Sequence, residues 1–284
     1  MMQPLYPSKA GIAIHFSNFC EKKPLDKEMP LIYAYSILRL EVIFMKITEK
    51  LKAKSANMYG AEAVTIAFLG DSVTQGCFEV YKTGPESIET VFEPACAYSA
   101  RLREMLAILY PNVQVNIINS GISGDSAPNG AKRLERDVLR YHPDLVIVSY
   151  GLNDSGQGAE KIDRYTAALA DIFTRIKEAG IECVFMTENM MNTHTSCHIS
   201  DPLIQRLAEN FAKTQNEGVL DLYFEEAKKV AADHQVPVCD CYSKWKKMGA
   251  AGVNTTELLS NKLNHPTREL NYLFAFSLLE TIFE

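Results

Sequence analysis

From Val64 onward the chain repeats one pattern: a short apolar run, a break at glycine or polar residues, then a stretch of helical periodicity. The runs are Val64–Leu69, Val113–Ile118, Leu145–Ser149, Cys183–Thr187 and Val236–Cys239. They are continuous rather than alternating, as expected of strands buried on both faces. Between the runs, apolar residues recur at helical spacing, as in Leu102, Met105, Leu106 and Leu109, and in Ile162, Tyr165, Leu169, Ile172, Phe173 and Ile176. Leu270, Leu273, Phe274 and Leu278 mark a final helix. Strand–helix alternation predicts an α/β fold with a mostly parallel five-stranded sheet sandwiched between helices. Open sheets of this kind bind ligands at the carboxyl ends of their strands, so the residues just past each run are those to inspect.

The chain has 284 residues, enough for a full core without disulfides or metals. Residues 1–57 read differently, with Pro4, Pro7, Pro24 and Pro30 and little periodicity; they are expected to form an accessory arm, with the globular domain at 58–284. Met45 looks like a natural start, followed by a short amphipathic helix. The net charge of −6 lacks the basic footprint of a nucleic-acid binder. Leu31–Met45 is apolar but interrupted by Arg39 and Glu41, so neither a membrane span nor an export signal is expected. Seven scattered cysteines suit free thiols in a reducing cytoplasm.

Four short blocks stand out. Gly70-Asp71-Ser72-Val73-Thr74 follows the first run, and Asn119-Ser120-Gly121-Ile122-Ser123-Gly124-Asp125-Ser126 follows the second. Gly151-Leu152-Asn153-Asp154 follows the third, and Asn264-His265-Pro266-Thr267 precedes the last helix. Acyl transfer needs a hydroxyl activated by an adjacent base, which Ser72 and His265 could supply. It also needs preorganised donors for a developing oxyanion, which the Asn153 amide and backbone N–H groups could supply. Glycine at 124 permits close backbone approach to a substrate. Asp71, Asp125 and Asp154 are expected to brace loops and cap helices.

In these blocks the chain, from about Val64 to its end, resembles the SGNH (GDSL-type) hydrolases, a family of esterases and lipases. The resemblance implies a three-layer, flavodoxin-like α/β/α sandwich. It also implies Ser72 as nucleophile, His265 as base, and an oxyanion hole made by Ser72 N–H, Gly124 N–H and the Asn153 side chain. The family usually places an aspartate three residues before the histidine. Here that position is Lys262, which cannot accept the histidine Nδ1–H. Asn261, Asn264, a backbone carbonyl or Asp240 could take its place.

The implied function is a serine esterase working through an acyl-enzyme on a small-molecule ester, with removal of acetyl groups from carbohydrates the favoured subclass. No cofactor or metal is expected. Lysophospholipase or thioesterase activity is the alternative within enzymes, and Lys262 leaves open a non-catalytic binding module. Two segments are expected to shape a pocket: Cys77–Pro94 with Phe78, Tyr81 and Phe92, and Glu188–Ser200 with Met190, Met191, Asn192, His194 and His198.

Overall fold

The apolar runs fold as β1 (Val64–Gly70), β4 (Val115–Gly121), β5 (Leu145–Ser149), β6 (Glu182–Thr187) and β7 (Val238–Asp240) of a computed structural model that describes residues 45–284. Residues 1–44 lie outside the described residues, and with them Cys20, the four early prolines and most of the apolar stretch 31–45. The five strands are all parallel, in the order β4-β1-β5-β6-β7. All five residues of β5 are buried, as a continuous apolar run requires. Val113 falls outside β4 because its N–H is taken by the Tyr110 carbonyl in the turn before the strand.

Helices cover both faces of this sheet. One layer contains α1 (Lys46–Ala56), α3 (Tyr98–Leu109), α9 (Cys241–Ala250) and α10 (Asn271–Phe283). The other contains α4 (Ala127–Asp137), α6 (Ile162–Glu178) and α8 (Val219–Asp233), with α7 (Pro202–Asn216) beside α8. Edge-to-face ring pairs join β1, α3 and α10 through Phe68, Tyr98 and Phe274, at centroid distances of 5.6 and 5.8 Å.

The strand order sets the position of the site. From β1 the chain crosses to β4 on one side, then returns past β1 to β5 on the other. The loops leaving β1, β4 and β5 therefore meet at a topological switch point, where a crevice opens at the carboxyl edge. Ser72, Gly124 and Asn153 are carried by those three loops.

Two features differ from the sequence reading. Cys77–Gly84 and Ser87–Phe92 form an antiparallel hairpin, β2–β3, outside the main sheet. Only its start is buried, at Cys77 and Phe78; Tyr81 and Phe92 are exposed. The second feature is α1, which belongs to the domain core: Ile47 and Leu51 are fully buried in the main apolar cluster. The domain thus begins before the expected boundary at 57. We predict that Leu51→Ala costs about 2–5 kcal/mol of stability, the usual range for emptying a buried leucine site. Denaturant unfolding checks this, and an unchanged midpoint would show that α1 is peripheral.

Candidate active site

β1 ends at Gly70, and the next residues turn sharply into a single helical turn, α2 (Ser72–Gln75). The Asp71 carboxylate caps this turn by accepting the Val73 N–H at 2.9 Å. Thr74 Oγ1 bonds the Tyr98 hydroxyl at 2.8 Å, and Asn119 Nδ2 donates to the Thr74 carbonyl at 2.7 Å. Ser72 is thus the first residue of a helix turn held from three directions. A first helical residue has no intrahelical acceptor for its N–H, and that of Ser72 meets no acceptor among the described residues.

His265 comes from the loop before α10. Asn261 Oδ1 organises that loop, accepting the N–H groups of Leu263, Asn264 and His265 at 2.9, 3.0 and 3.0 Å. These bonds hold Lys262 at a left-handed φ of 59°. The loop delivers His265 Nε2 to 3.0 Å from Ser72 Oγ, across 193 residues of sequence. The ring's other nitrogen, Nδ1, lies 2.8 Å from the backbone carbonyl of Phe78. A carbonyl can only accept, so Nδ1 carries the hydrogen and Nε2 of the neutral ring presents its lone pair to the serine hydroxyl. Ser72 and His265 are 3% and 5% exposed. Burial drives the imidazole pKa down to about 4, against a smaller upward pull from the Phe78 carbonyl and from the Glu79 charge.

The other expected partners of His265 are engaged elsewhere. Asp240 accepts from Thr187 Oγ1 at 3.0 Å, from Ser243 N at 3.0 Å and Oγ at 2.6 Å, and pairs with Lys228 at 2.7 Å. Burial pushes its pKa up, but Lys228 and Ser243 outweigh burial and hold it below the ordinary value. It caps α9 and does not reach the ring. Asn264 Oδ1 accepts from Asn261 Nδ2 at 3.0 Å, so the two amides close on each other. Lys262 points to Glu257, at 2.8 Å from its carbonyl and 3.1 Å from its carboxylate. Of the four substitutes for the missing aspartate, the structure therefore brings the backbone carbonyl to the ring.

Gly124 adopts φ 76°, a left-handed conformation that favours glycine, and open space lies where a side chain would start. Its N–H also meets no acceptor among the described residues. Asn153, in the short helix α5 (Leu152–Ser155), donates from Nδ2 to Asp71 Oδ2 at 3.0 Å and to the Asp125 carbonyl at 2.9 Å. It therefore ties the serine turn to the glycine loop. Asp125 is neutralised by Arg133, whose Nε lies 2.8 Å away, and Asp154 accepts the first N–H of α4 at 3.1 Å.

Two groups here escape a reading of side-chain motifs. The Phe78 carbonyl is backbone, and no residue type signals it. Arg268 clamps the strand that carries it: its guanidinium bonds Glu79 at 2.7 and 2.9 Å and Glu93 at 2.6 and 2.9 Å, and lies 4.4 Å from the centre of the Phe78 ring. Beside the histidine loop a cavity of about 280 Å³ is lined by Glu79, Val80, Ile199, Asp201, Asn261 and Lys262. His198 is exposed and His194 faces Thr193 and Thr256; no three His, Cys, Asp or Glu side chains gather as a metal site among the described residues.

Residues 68–271 match the GDSL-like lipase/acylhydrolase family. An acetylxylan esterase of Geobacillus stearothermophilus is 30% identical over 131 residues, covering 43% of this chain and 58% of that protein. An arylesterase of Vibrio mimicus is 36% identical over 81 residues, 28% of this chain and 40% of that one. The match thus spans about half the length of these relatives. Among solved structures, a two-domain esterase active on acetylated mannans superposes with a TM-score of 0.58 at 18% identity, over 84% of this chain and 52% of that one. An acetylxylan esterase from G. stearothermophilus does so with 0.56 at 21%, over 77% and 94%. These structures share the fold, and with the family match over most of its length the chain belongs to the GDSL-like lipase/acylhydrolase family, the SGNH hydrolases.

Proposed function

We propose that the protein is a carboxylic ester hydrolase that works through an acyl-serine, and that its substrates are O-acetylated carbohydrates. The observation that carries this reading is the 3.0 Å contact between Ser72 Oγ and a histidine nitrogen whose lone pair is fixed toward it. Ser72 Oγ attacks the ester carbonyl while Nε2 takes its proton. Negative charge collects on the former carbonyl oxygen. The unengaged N–H groups of Ser72 and Gly124 are available to it, and Asn153 Nδ2 adds a third donor once one hydrogen turns from the Asp125 carbonyl. The imidazolium then returns its proton to the departing alcohol. Water repeats the sequence on the acyl-serine, and acetate leaves.

Loss of a triad aspartate in a protease costs about 10⁴ in kcat, because the histidine falls into the wrong tautomer. The Phe78 carbonyl keeps the right tautomer, so Lys262 in the acid position does not by itself argue for a binding module. What is given up is a full negative charge beside the imidazolium. The carbohydrate part of the reading is supported by what the similar proteins are named for, acetylxylan and acetylated mannans. The six described cysteines are free thiols, which supports a reducing compartment, and no described helix is long and apolar enough to cross a membrane.

Three outcomes are expected. Ser72→Ala abolishes hydrolysis of a chromogenic acetate ester with the fold intact by circular dichroism; undiminished turnover by the purified variant would refute the assignment. Asn153→Ala lowers kcat by about 10²–10³ with a smaller change in KM, as for removal of an oxyanion donor. A change confined to KM would make Asn153 a ground-state contact.

The third outcome concerns pH. Activity rises along an acid limb near pH 4, where the buried imidazole loses its proton, and is level through neutrality. Linkage gives the matching stability effect. The ring takes a proton near pH 6.5 when unfolded but near 4 when folded, so its contribution is complete above 6.5 and is lost as pH falls toward 4. The slope in that window is about 1.4 kcal/mol per pH unit, read as the difference in unfolding free energy between the wild type and His265→Gln. A limb at or above pH 6.5 would mean that a carboxylate faces the ring after all.

A further inference from the structure

One buried cation enters none of the steps above. Arg133 stands on α4, and its guanidinium reaches all three of the strand ends whose loops carry Ser72, Gly124 and Asn153. At the end of β1, Nη2 donates to the Gly70 carbonyl at 3.0 Å, just before the serine turn. At the end of β4, Nη1 donates to the Ser120 carbonyl at 2.6 Å, and Nε donates to Oδ2 of Asp125, the neighbour of Gly124, at 2.8 Å. Past β5, Nη2 donates to the hydroxyl of Tyr150, at the head of the loop that carries Asn153, at 2.8 Å. Nη1 also donates to Asp137 at 3.2 Å, so the five donors of the fork are all engaged.

The partners of Arg133 also close on one another. The Tyr150 hydroxyl donates on to Asp125 Oδ2 at 3.0 Å, and the Asp125 carbonyl accepts from Asn153 Nδ2 at 2.9 Å. The Ile122 N–H donates at 3.1 Å to the same Gly70 carbonyl that Arg133 holds. Gly130, one turn earlier on α4, makes room for the Tyr150 ring, since a Cβ there would lie 2.4 Å from the hydroxyl oxygen. Neutralising Asp125 does not require this arrangement. An ammonium is a point charge and would serve that carboxylate too, whereas acceptors on three strand ends call for a planar fork with donors in fixed directions.

We propose that Arg133 is a positioning residue for the oxyanion site: its guanidinium sets the spacing of the donors by holding the ends of β1, β4 and β5 together. Each of these loops supplies one donor of the proposed mechanism, the Ser72 N–H, the Gly124 N–H and Asn153 Nδ2. Their mutual distances are therefore set by whatever fixes the loops to one another. Asn153 makes one such tie from within the set, and Arg133 makes a second from a helix outside it. Because its donors are all engaged by the protein, Arg133 acts through the loops and does not bind the reacting atoms itself. Its effect falls on the tetrahedral state, in which the oxyanion needs all the donors at once, and little on substrate binding.

The role in activity rests on the esterase reading; the joining of the loops does not, so each has its own measurement. Arg133→Lys keeps a charge for Asp125 and removes the fork. Val73, Ile122 and Leu152 each have a hydrogen-bonded amide, one in each loop. In amide hydrogen exchange of the substrate-free variant, these three are expected to exchange about tenfold faster relative to Ile147 in the central strand β5. Exchange that quickens evenly over the sheet, Ile147 included, would make Arg133 a stabiliser of the whole fold and overturn the joining of the loops, whatever the protein hydrolyses. On a chromogenic acetate ester, kcat per folded molecule is expected to fall about 10²-fold, the cost of a small misplacement of reacting groups, with KM nearly kept. Wild-type kcat in Arg133→Lys would overturn the positioning role, since a point charge would then suffice. An inactive wild-type protein would refute the esterase reading, and the positioning role with it, while the exchange result still decides whether Arg133 joins the loops. If Arg133→Lys does not fold, Tyr150→Phe removes one hydroxyl of the same network and is judged by the same exchange and kinetic outcomes.

Discussion

The site depends on one hydrogen bond, from His265 Nδ1–H to the carbonyl of Phe78. In a buried ring that is neutral down to about pH 4, this bond decides which nitrogen holds the hydrogen and which offers a lone pair to Ser72. A backbone carbonyl can do this as well as a carboxylate. It differs in carrying no full charge, so under the proposed mechanism an imidazolium would be held by the carbonyl dipole and the Glu79 charge. The carbonyl must also be rigid, because its aim is its only contribution. Its strand is pinned by Arg268, which grips a glutamate on each side of the hairpin and stacks on the Phe78 ring.

The surroundings follow from the same burial. A serine, a histidine and the Asn153 amide placed in a buried crevice need their orientations fixed by bonds that are satisfied there, since an unpaired polar group is costly in a low dielectric. The fold meets this with backbone N–H groups and a few buried acids. Asp71 caps the serine turn and holds Asn153, Asp154 caps α4, and Asp125 is neutralised by Arg133. Two N–H groups, of Ser72 and Gly124, are left without an acceptor among the described residues.

Much of this was legible in the sequence because parallel strands buried on both faces leave continuous apolar runs. The run at Leu145–Ser149 is the strand itself, and the residues beyond three runs do meet at the crevice. Among the helices with weaker sequence signals, α7 does carry one, since Asp201-Pro202 is a cap-and-first-turn signature whose carboxylate accepts the Leu203 N–H at 2.8 Å. The hairpin has a weak sequence signature because most of it is exposed and its register is broken by irregularities, so it carries little alternation. α1 leaves little trace in the sequence because it shows the core only a narrow stripe, mainly Ile47 and Leu51. The histidine's partner could only be left among several, since a main-chain carbonyl 187 residues away has no side-chain signature. Asp240 illustrates the converse: an acid at a strand end near the site serves its own helix.

The most direct test of the account is the protonation state of His265 itself. Nitrogen chemical shifts of the labelled imidazole in the substrate-free protein at neutral pH report the tautomer without reference to any reaction. The account predicts a neutral ring with its hydrogen on Nδ1 and a bare Nε2, unchanged in Asp240→Asn. An imidazolium at neutral pH, or a hydrogen on Nε2, would contradict it.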